Sequence, residues 1–262
     1  MPKETPGDTV SGVVWITGGA NGLGRGLAVG LASAGWHVAV SDIDQQAVDN
    51  LRDELAAIGP SLVTVGDVTS SNDIHRILDE VEVKLGPLDA LINNALFAVR
   101  GSVLDVTEAD WRRAVEVNLT GYFLCAQAAA RRMVLRKVGR IVNLSSGAAE
   151  RGIPGTVAYG CAKGGVNAMT RIFAVELAQH GICVNTVTTG PVMTEGFATL
   201  AADAAGVEAR RRRVPMGRLG TVEDCLGIIE YLLAPASAWT TGALFNVDGG
   251  ANNAGLVQQV SQ

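Results

Sequence analysis

The stretch Val13-Val-Trp-Ile-Thr-Gly-Gly-Ala-Asn-Gly-Leu-Gly24 decides the fold of this 262-residue chain. A short apolar run from Gly12 to Thr17 reads as a buried strand, and it leads straight into a glycine loop. Arg25-Gly-Leu-Ala-Val-Gly-Leu-Ala follows, with Leu27, Leu31 and Ala34 at helical spacing and Gly35 as the cap that ends it. Strand, glycine loop and helix together form a phosphate-binding arrangement. Backbone N–H groups at the helix N-terminus face a pyrophosphate, and bulky side chains there would block its approach. Gly18, Asn21, Gly22, Leu23 and Gly24 are therefore the candidate cradle. A glycine loop alone also serves packing in many folds, so the next element carries the decision. Trp36-His-Val-Ala-Val-Ser-Asp42 is a second buried strand that ends in an acid, with Ile43 next to it. An acid about 20 residues past such a loop accepts hydrogen bonds from the ribose hydroxyls of an adenosine. It also repels a 2′-phosphate. No basic residue adjoins Asp42, and Asn21 rather than Arg or Lys precedes Gly22, so the pattern reads as NAD rather than NADP. Arg25 is the residue that argues the other way.

Working outward, an amphipathic helix from Gln45 to Ile58 leads to a third strand, Ser61 to Gly66, and then to Asp67-Val68-Thr69. Asp67 either caps the next helix or accepts from an adenine amino group. A fourth strand, Leu88 to Ile92, ends in Asn93-Asn94-Ala95. Four alternations of strand and helix predict a parallel, doubly wound α/β sheet with right-handed crossovers. Thr107 to Asp110 opens a long helix through Trp111, Val115, Asn118, Tyr122 and Ala126, and Arg131, Arg132, Arg136 and Lys137 read as its solvated end.

The candidate chemistry lies between Ser145 and Lys163. Arg140-Ile-Val-Asn-Leu reads as a strand ending in Ser145 and Ser146, and Tyr159 and Lys163 stand four residues apart at the start of a long helix. Four residues is one turn, so phenol and ammonium share a face. A nearby cation favours the phenolate, moving the phenol toward a value useful for proton transfer. A hydroxyl, a phenol and an ammonium then converge.

Thr17-Gly-x-x-x-Gly22-x-Gly24, Asp67-Val68, Asn93-Asn94-Ala95, Asn118, Ser146, Tyr159 and Lys163, in this order and spacing, resemble the short-chain dehydrogenase/reductase family over residues 12 to 250. The resemblance implies a seven-stranded Rossmann sheet of order 3-2-1-4-5-6-7, NAD(P)-dependent oxidoreduction of CH–OH groups, and a homotetramer or homodimer. It implies that Ser146, thirteen residues before Tyr159, is the catalytic serine, with Ser145 the alternative. Asn118 would bend its helix and hold, through its carbonyl, a water bound to Lys163. Asn94, Ala95, Pro191, Val192 and Thr194 would meet the cofactor, as would Asp67 and Val68. Two positions depart from the family pattern: Leu96 stands where glycine is usual and Thr189 where proline is usual. The leucine is expected to crowd the floor of the nicotinamide site or to redirect the chain.

The remainder of the chain sets bounds. A net charge of −5 argues against nucleic acid as a partner. No run of 18 apolar residues exists and the head, 1–11, is polar, so a cytoplasmic protein without membrane association is expected. Cys125, Cys161, Cys183 and Cys225 lie far apart in apolar surroundings and read as free thiols. His37, His75 and His180 are scattered, so no metal is expected. The family resemblance implies that residues 195–214 form a lid over the substrate, and Arg210 to Arg213 within it read as either a grip for an anionic substrate or a solvated helix face. Small residues at 160, 162, 164 and 165 permit close helix contact, and the family resemblance implies that this helix packs in the oligomer interface. Phe97, Ala148, Ile153, Met193 and Phe197 form a candidate apolar pocket, which suits a cyclic, aromatic or otherwise apolar secondary alcohol or ketone. Alternatives are an NADPH-linked 3-oxoacyl thioester reductase and a non-catalytic NAD-binding sensor or scaffold. A tail, 251–262, closes the chain.

Overall fold

In the computed structural model, which describes residues 12–194 and 204–254, seven parallel strands form one sheet in the order β3-β2-β1-β4-β5-β6-β7. They are β1 (Val13–Thr17), β2 (His37–Asp42), β3 (Ser61–Val65), β4 (Leu88–Asn93), β5 (Gly139–Ser146), β6 (Ile182–Thr189) and β7 (Leu244–Val247). The helices, numbered over the described residues, are α1 (Gly22–Ser33), α2 (Gln45–Ile58), α3 (Ser71–Lys84), α4 (Glu108–Val115), α5 (Gly121–Met133), α6 (Val157–Leu177), α7 (Ala204–Arg211) and α8 (Val222–Leu233). The expected head, the tail beyond Ala254, and 195–203 of the expected lid lie outside the described residues.

Every residue of β1 is buried, as a central parallel strand covered on both faces requires. Val14 and Ile16 pack with α1, α2 and α8 on one face, whereas Val13 and Trp15 pack with α3 and α5 on the other. Trp15 is fully buried, and its indole N–H donates to Ser41 Oγ on β2 at 3.0 Å. That bond satisfies the one polar group the ring carries.

The helix read as continuous from Thr107 through Ala126 is interrupted. Thr107 caps α4, accepting from Asp110 N, and Glu116–Thr120 then form a π turn before α5 begins. A π turn inserts one residue, which rotates everything after it by roughly 100°.

The basic end of α5 corrects another expectation. Arg132 bonds Asp79 at 2.6 Å and also Glu82, both on α3, while Arg136 bonds Leu88 O at 2.9 Å and the Asp89 carboxylate. These side chains tie α5 to α3 and β4 rather than only facing solvent. Asp67 does not cap α3 either. Ser70 does, accepting from Asp73 N, while Asp67 Oδ1 accepts from Thr69 N at 2.9 Å within its own turn. Of the cysteines, Cys125, Cys183 and Cys225 are buried, but Cys161 is exposed, on the outward side of α6. All four are free.

Trp15→Phe removes the indole donor, leaves Ser41 Oγ without it and opens a small void. A loss of about 2–3 kcal/mol of unfolding free energy is expected in urea denaturation.

Candidate active site

The cofactor cradle is built by packing between β1 and β4. Thr17 Oγ1 accepts from Asn94 N at 3.0 Å and Ala95 N at 3.2 Å, and Asn94 Nδ2 donates to Thr17 O at 3.1 Å and Gly18 O at 2.6 Å. Gly18 has φ +59°, and a Cβ there would lie 2.5 Å from Ala95 Cα. A Cβ on Gly24 would lie 2.4 Å from Asn94 Nδ2 and 2.6 Å from Gly18 O. Only glycine fits either place. α1 has no acid in its first turn and no side-chain cap from Asn21, so its N-terminal N–H groups are left for an anion. Thr194 faces this loop from the far side, its Oγ1 being the atom nearest to where a Cβ on Gly22 would sit, at 3.7 Å.

Asp42 closes β2 beside the loop. Its Oδ2 accepts from Ala20 N at 3.1 Å and its Oδ1 from Asp44 N at 3.2 Å, which fixes the carboxylate while leaving lone pairs for further donors. Ile43 is exposed at the mouth. Arg25 bonds Glu54 of α2 at 2.7 Å. Val68 is buried at the start of the α3 approach, and Gly121 packs against it. Glycine cradle, helix terminus and acid together fit a dinucleotide.

Opposite the cradle, β5 and α6 bring the expected catalytic groups together. Ser146 is the strand's last residue, and its Oγ accepts from Ala148 N at 3.3 Å. Its hydroxyl also interacts with the Tyr159 phenol. Ser145, the alternative, is buried with its hydroxyl unpartnered. Gly160, next to Tyr159, must be small because a Cβ would come within 2.7 Å of Ala148 O, and a Cβ on Gly165 would come within 2.8 Å of the Leu119 side chain. These small residues therefore serve contacts within the chain.

The electrostatics differ from the sequence expectation. Burial raises the Tyr159 phenol above its usual value, with the Ser146 interaction opposing the rise. Lys163 is 2% exposed, and burial lowers its amine to about 7. Nζ lies 5.7 Å from the centre of the Tyr159 ring. It instead donates to Tyr122 Oη and Leu144 O, each at 2.8 Å. The lysine shares a face with Tyr159, but its charge is held to one side.

Asn118 is fully buried within the π turn. Its amide donates to Phe97 O at 2.7 Å and Ala114 O at 2.8 Å, and its Oδ1 accepts from Phe97 N at 3.2 Å. The helix is interrupted here by the π turn, and the Asn118 side chain holds the loop after β4. Leu96 is not among the residues with positive φ and is 60% exposed, whereas Ala95 before it is buried. Strand pairing continues through Thr189, opposite Val247. The following Pro191–Met193 segment is pinned to Gly220, with Met193 N donating to Gly220 O at 2.8 Å and Gly220 N to Pro191 O at 3.0 Å. Phe97, Ala148 and Ile153 are half-buried and Met193 is 42% exposed, whereas Phe197 lies outside the described residues. In the arginine run, Glu208 bonds both Arg211, at 2.6 Å, and Arg212, at 2.9 Å. Among the described residues no helix is long and apolar enough to cross a membrane, and no cluster of His, Cys, Asp and Glu could hold a metal.

The family profile described as "Enoyl-(Acyl carrier protein) reductase" matches residues 18–252. The chain is 39% identical to 2-(S)-hydroxypropyl-CoM dehydrogenase 3 of Xanthobacter autotrophicus, covering 91% of this chain and 95% of that protein. It is 34% identical to 5-keto-D-gluconate 5-reductase of Escherichia coli, covering 90% and 94%. A variant of actinorhodin polyketide ketoreductase, crystallised with NADPH, superposes with a TM-score of 0.89 at 30% identity over 93% of this chain and 98% of that one. The chain belongs to the short-chain dehydrogenase/reductase family. It is an oxidoreductase of CH–OH and keto groups that uses a nicotinamide cofactor.

Lys163 carries a pH signature in the cofactor-free protein. An unfolded lysine holds its proton up to about pH 10, whereas the folded chain gives it up near 7. Between those values the unfolded state binds more protons, so this residue's contribution to stability rises with pH. Lys163→Met removes it. The variant's thermal midpoint, relative to the parent's, is expected to climb as pH falls from about 10 to about 7 and to level off below.

Proposed function

We propose that this chain is an NAD-dependent dehydrogenase that interconverts a secondary alcohol and its ketone, with Tyr159 as the proton-transfer group. The observation that carries the reading is the meeting of Ser146 and Tyr159 at the open end of the sheet, with Lys163 one turn along. The bound nicotinamide supplies or accepts the hydride. Tyr159 Oη, as phenolate, takes the hydroxyl proton in the oxidising direction and returns it in the reducing one. Ser146 Oγ hydrogen-bonds the same substrate oxygen as charge develops on it. Lys163 supports the phenolate and holds the nicotinamide ribose, and Asn118 keeps the loop after β4 in place behind them.

The choice of NAD rests on Asp42, whose carboxylate is fixed at the end of β2, and on the engagement of Arg25 by Glu54. Gly18, Asn21, Gly22, Leu23, Gly24, Ile43, Asp67, Val68, Asn94, Ala95, Pro191, Val192 and Thr194 complete the proposed cofactor contacts. The carbon skeleton of the substrate would lie against Phe97, Ala148, Ile153 and Met193. Exposed Ile172 and Val175 on α6 and Phe123 on α5 support assembly into a homodimer or homotetramer, and a cytoplasmic location suits an enzyme with free thiols. A second reading, NADPH-linked reduction of an acyl-carrier thioester, draws on the description of the matching family profile. The pairing of Arg211 and Arg212 with Glu208 weighs against an arginine grip on that carrier.

Titration of nicotinamide fluorescence separates the two readings. NADH is expected to bind at least tenfold more tightly than NADPH, a gap of about 1.4 kcal/mol, and Asp42→Ala is expected to close it. Tighter NADPH binding would favour the thioester reductase. In turnover assays Tyr159→Phe should lower kcat by about 100-fold or more. Alcohol oxidation by the parent should rise with pH, because burial keeps the phenol protonated beyond its usual range; a flat profile with chemistry rate-limiting would remove Tyr159 as the base.

A further inference from the structure

Tyr122 has no part in the scheme above, yet it makes the closest side-chain contact of the buried lysine. It is 1% exposed, and its phenol oxygen accepts from Lys163 Nζ at 2.8 Å. The amine also lies over its ring, 4.1 Å from the centroid, in cation–π geometry. The tyrosine is itself held firmly. Its ring packs with Val166 and Met169 of α6, and its carbonyl accepts from Asn93 Nδ2 at 3.3 Å.

An ammonium has three donors. Tyr122 Oη and Leu144 O take two of them, so the position of Nζ is set by α5 and β5 while one donor remains for the site. The titratable groups around the amine are Tyr122, with Cys125 one turn beyond it on α5, and Tyr159 on α6; β5 adds the Leu144 carbonyl and the Ser146 hydroxyl. None of these carries a fixed negative charge. Neutral acceptors alone therefore favour the charged form of the lysine against the cost of its burial.

We propose that Tyr122 is a positioning residue for the reaction: its phenol oxygen and ring hold the Lys163 ammonium at the place from which it supports Tyr159. This rests on the proposed roles of Tyr159 and Lys163 and adds a residue to them. The π turn makes it possible, because its extra residue turns α5 so that Tyr122, one turn after Asn118, points inward. A tyrosine that only filled the core would be matched by phenylalanine, so Tyr122→Phe separates positioning from packing.

In the variant the amine loses an acceptor and stays neutral over more of the pH range. The midpoint of the rise in alcohol oxidation should move up by about half a pH unit or more, which is about threefold in rate at a fixed pH on that limb, with the KM for the alcohol and the Kd for NADH within about twofold of the parent. Superimposable pH profiles would overturn the proposal. A measurement that needs no turnover runs beside it: NMR titration of the Lys163 amine in the cofactor-free protein, assigned with Lys163→Met. The amine is expected to titrate at lower pH in Tyr122→Phe, and an unchanged titration overturns the proposal even if the chain oxidises alcohols. Conversely, a chain that turns over no alcohol or ketone removes the functional reading, while the amine titration still decides the role of Tyr122. Should phenylalanine unfold the protein, 3-fluorotyrosine at position 122, a weaker acceptor of nearly the same shape, should shift the amine in the same direction, and no shift would count against the proposal.

Discussion

The contact between Asn94 and the backbone of Thr17 and Gly18 is the constraint on which the site depends. One amide donates to two carbonyls at the end of β1, while the threonine hydroxyl accepts from two N–H groups at the end of β4. The two central strands are thereby fixed to each other just where the sheet opens. Gly24 must then lack a side chain, since Asn94 occupies the space a Cβ would need. The first turn of α1 is pulled against the sheet, and its free N–H groups acquire a defined direction. A cofactor cradle follows from one satisfied amide.

A second constraint concerns charge. Lys163 places an amine in an interior that offers its charged form neutral oxygens and an aromatic face but no carboxylate. Burial of such a group costs free energy. Beside it Asn93 donates to Asn143 at 2.8 Å, Asn143 to Thr170 at 2.9 Å, and Thr186 to Thr170 at 2.8 Å, while Asn93 Oδ1 and Ser145 Oγ stay buried without a partner. These bonds join β4, β5, β6 and α6 beneath the reacting groups. The polar interior is the rigid base of the site.

Much of this was legible in the sequence because the relevant signals are local. A glycine loop between an apolar run and a helical pattern, an acid at the end of the next strand, and a Tyr-x-x-x-Lys pair each declare a geometry within a few residues, and α2 has the ends that periodicity suggests. The family resemblance points to an irregularity at Asn118, but not to its form. Residues 107–126 keep helical spacing on both sides of the π turn, and periodicity does not show the extra residue. The partners of Arg132 and Arg136 were hidden for a different reason: they lie roughly 50 residues away in the chain, at 79, 82 and 89, and meet only once the sheet has formed. Charge placement around Lys163 was hidden likewise, because a shared helix face says that Tyr159 and Lys163 are neighbours but not which oxygen the amine selects. Leu96 shows the converse, since its departure from the family pattern is absorbed by turning outward.

The pairing of Pro191 and Met193 with Gly220 has a mechanical consequence. These two short segments exchange backbone hydrogen bonds as strands do, and Gly220 immediately precedes the cap of α8. α8 in turn packs on α1, with Val222 filling the space beside Gly26 and Leu226 that beside Gly30. The loop that leaves β6 is thus connected through α8 to α1, whose N-terminus is the proposed phosphate site. The two walls of the proposed cofactor cleft share α8 as a common support.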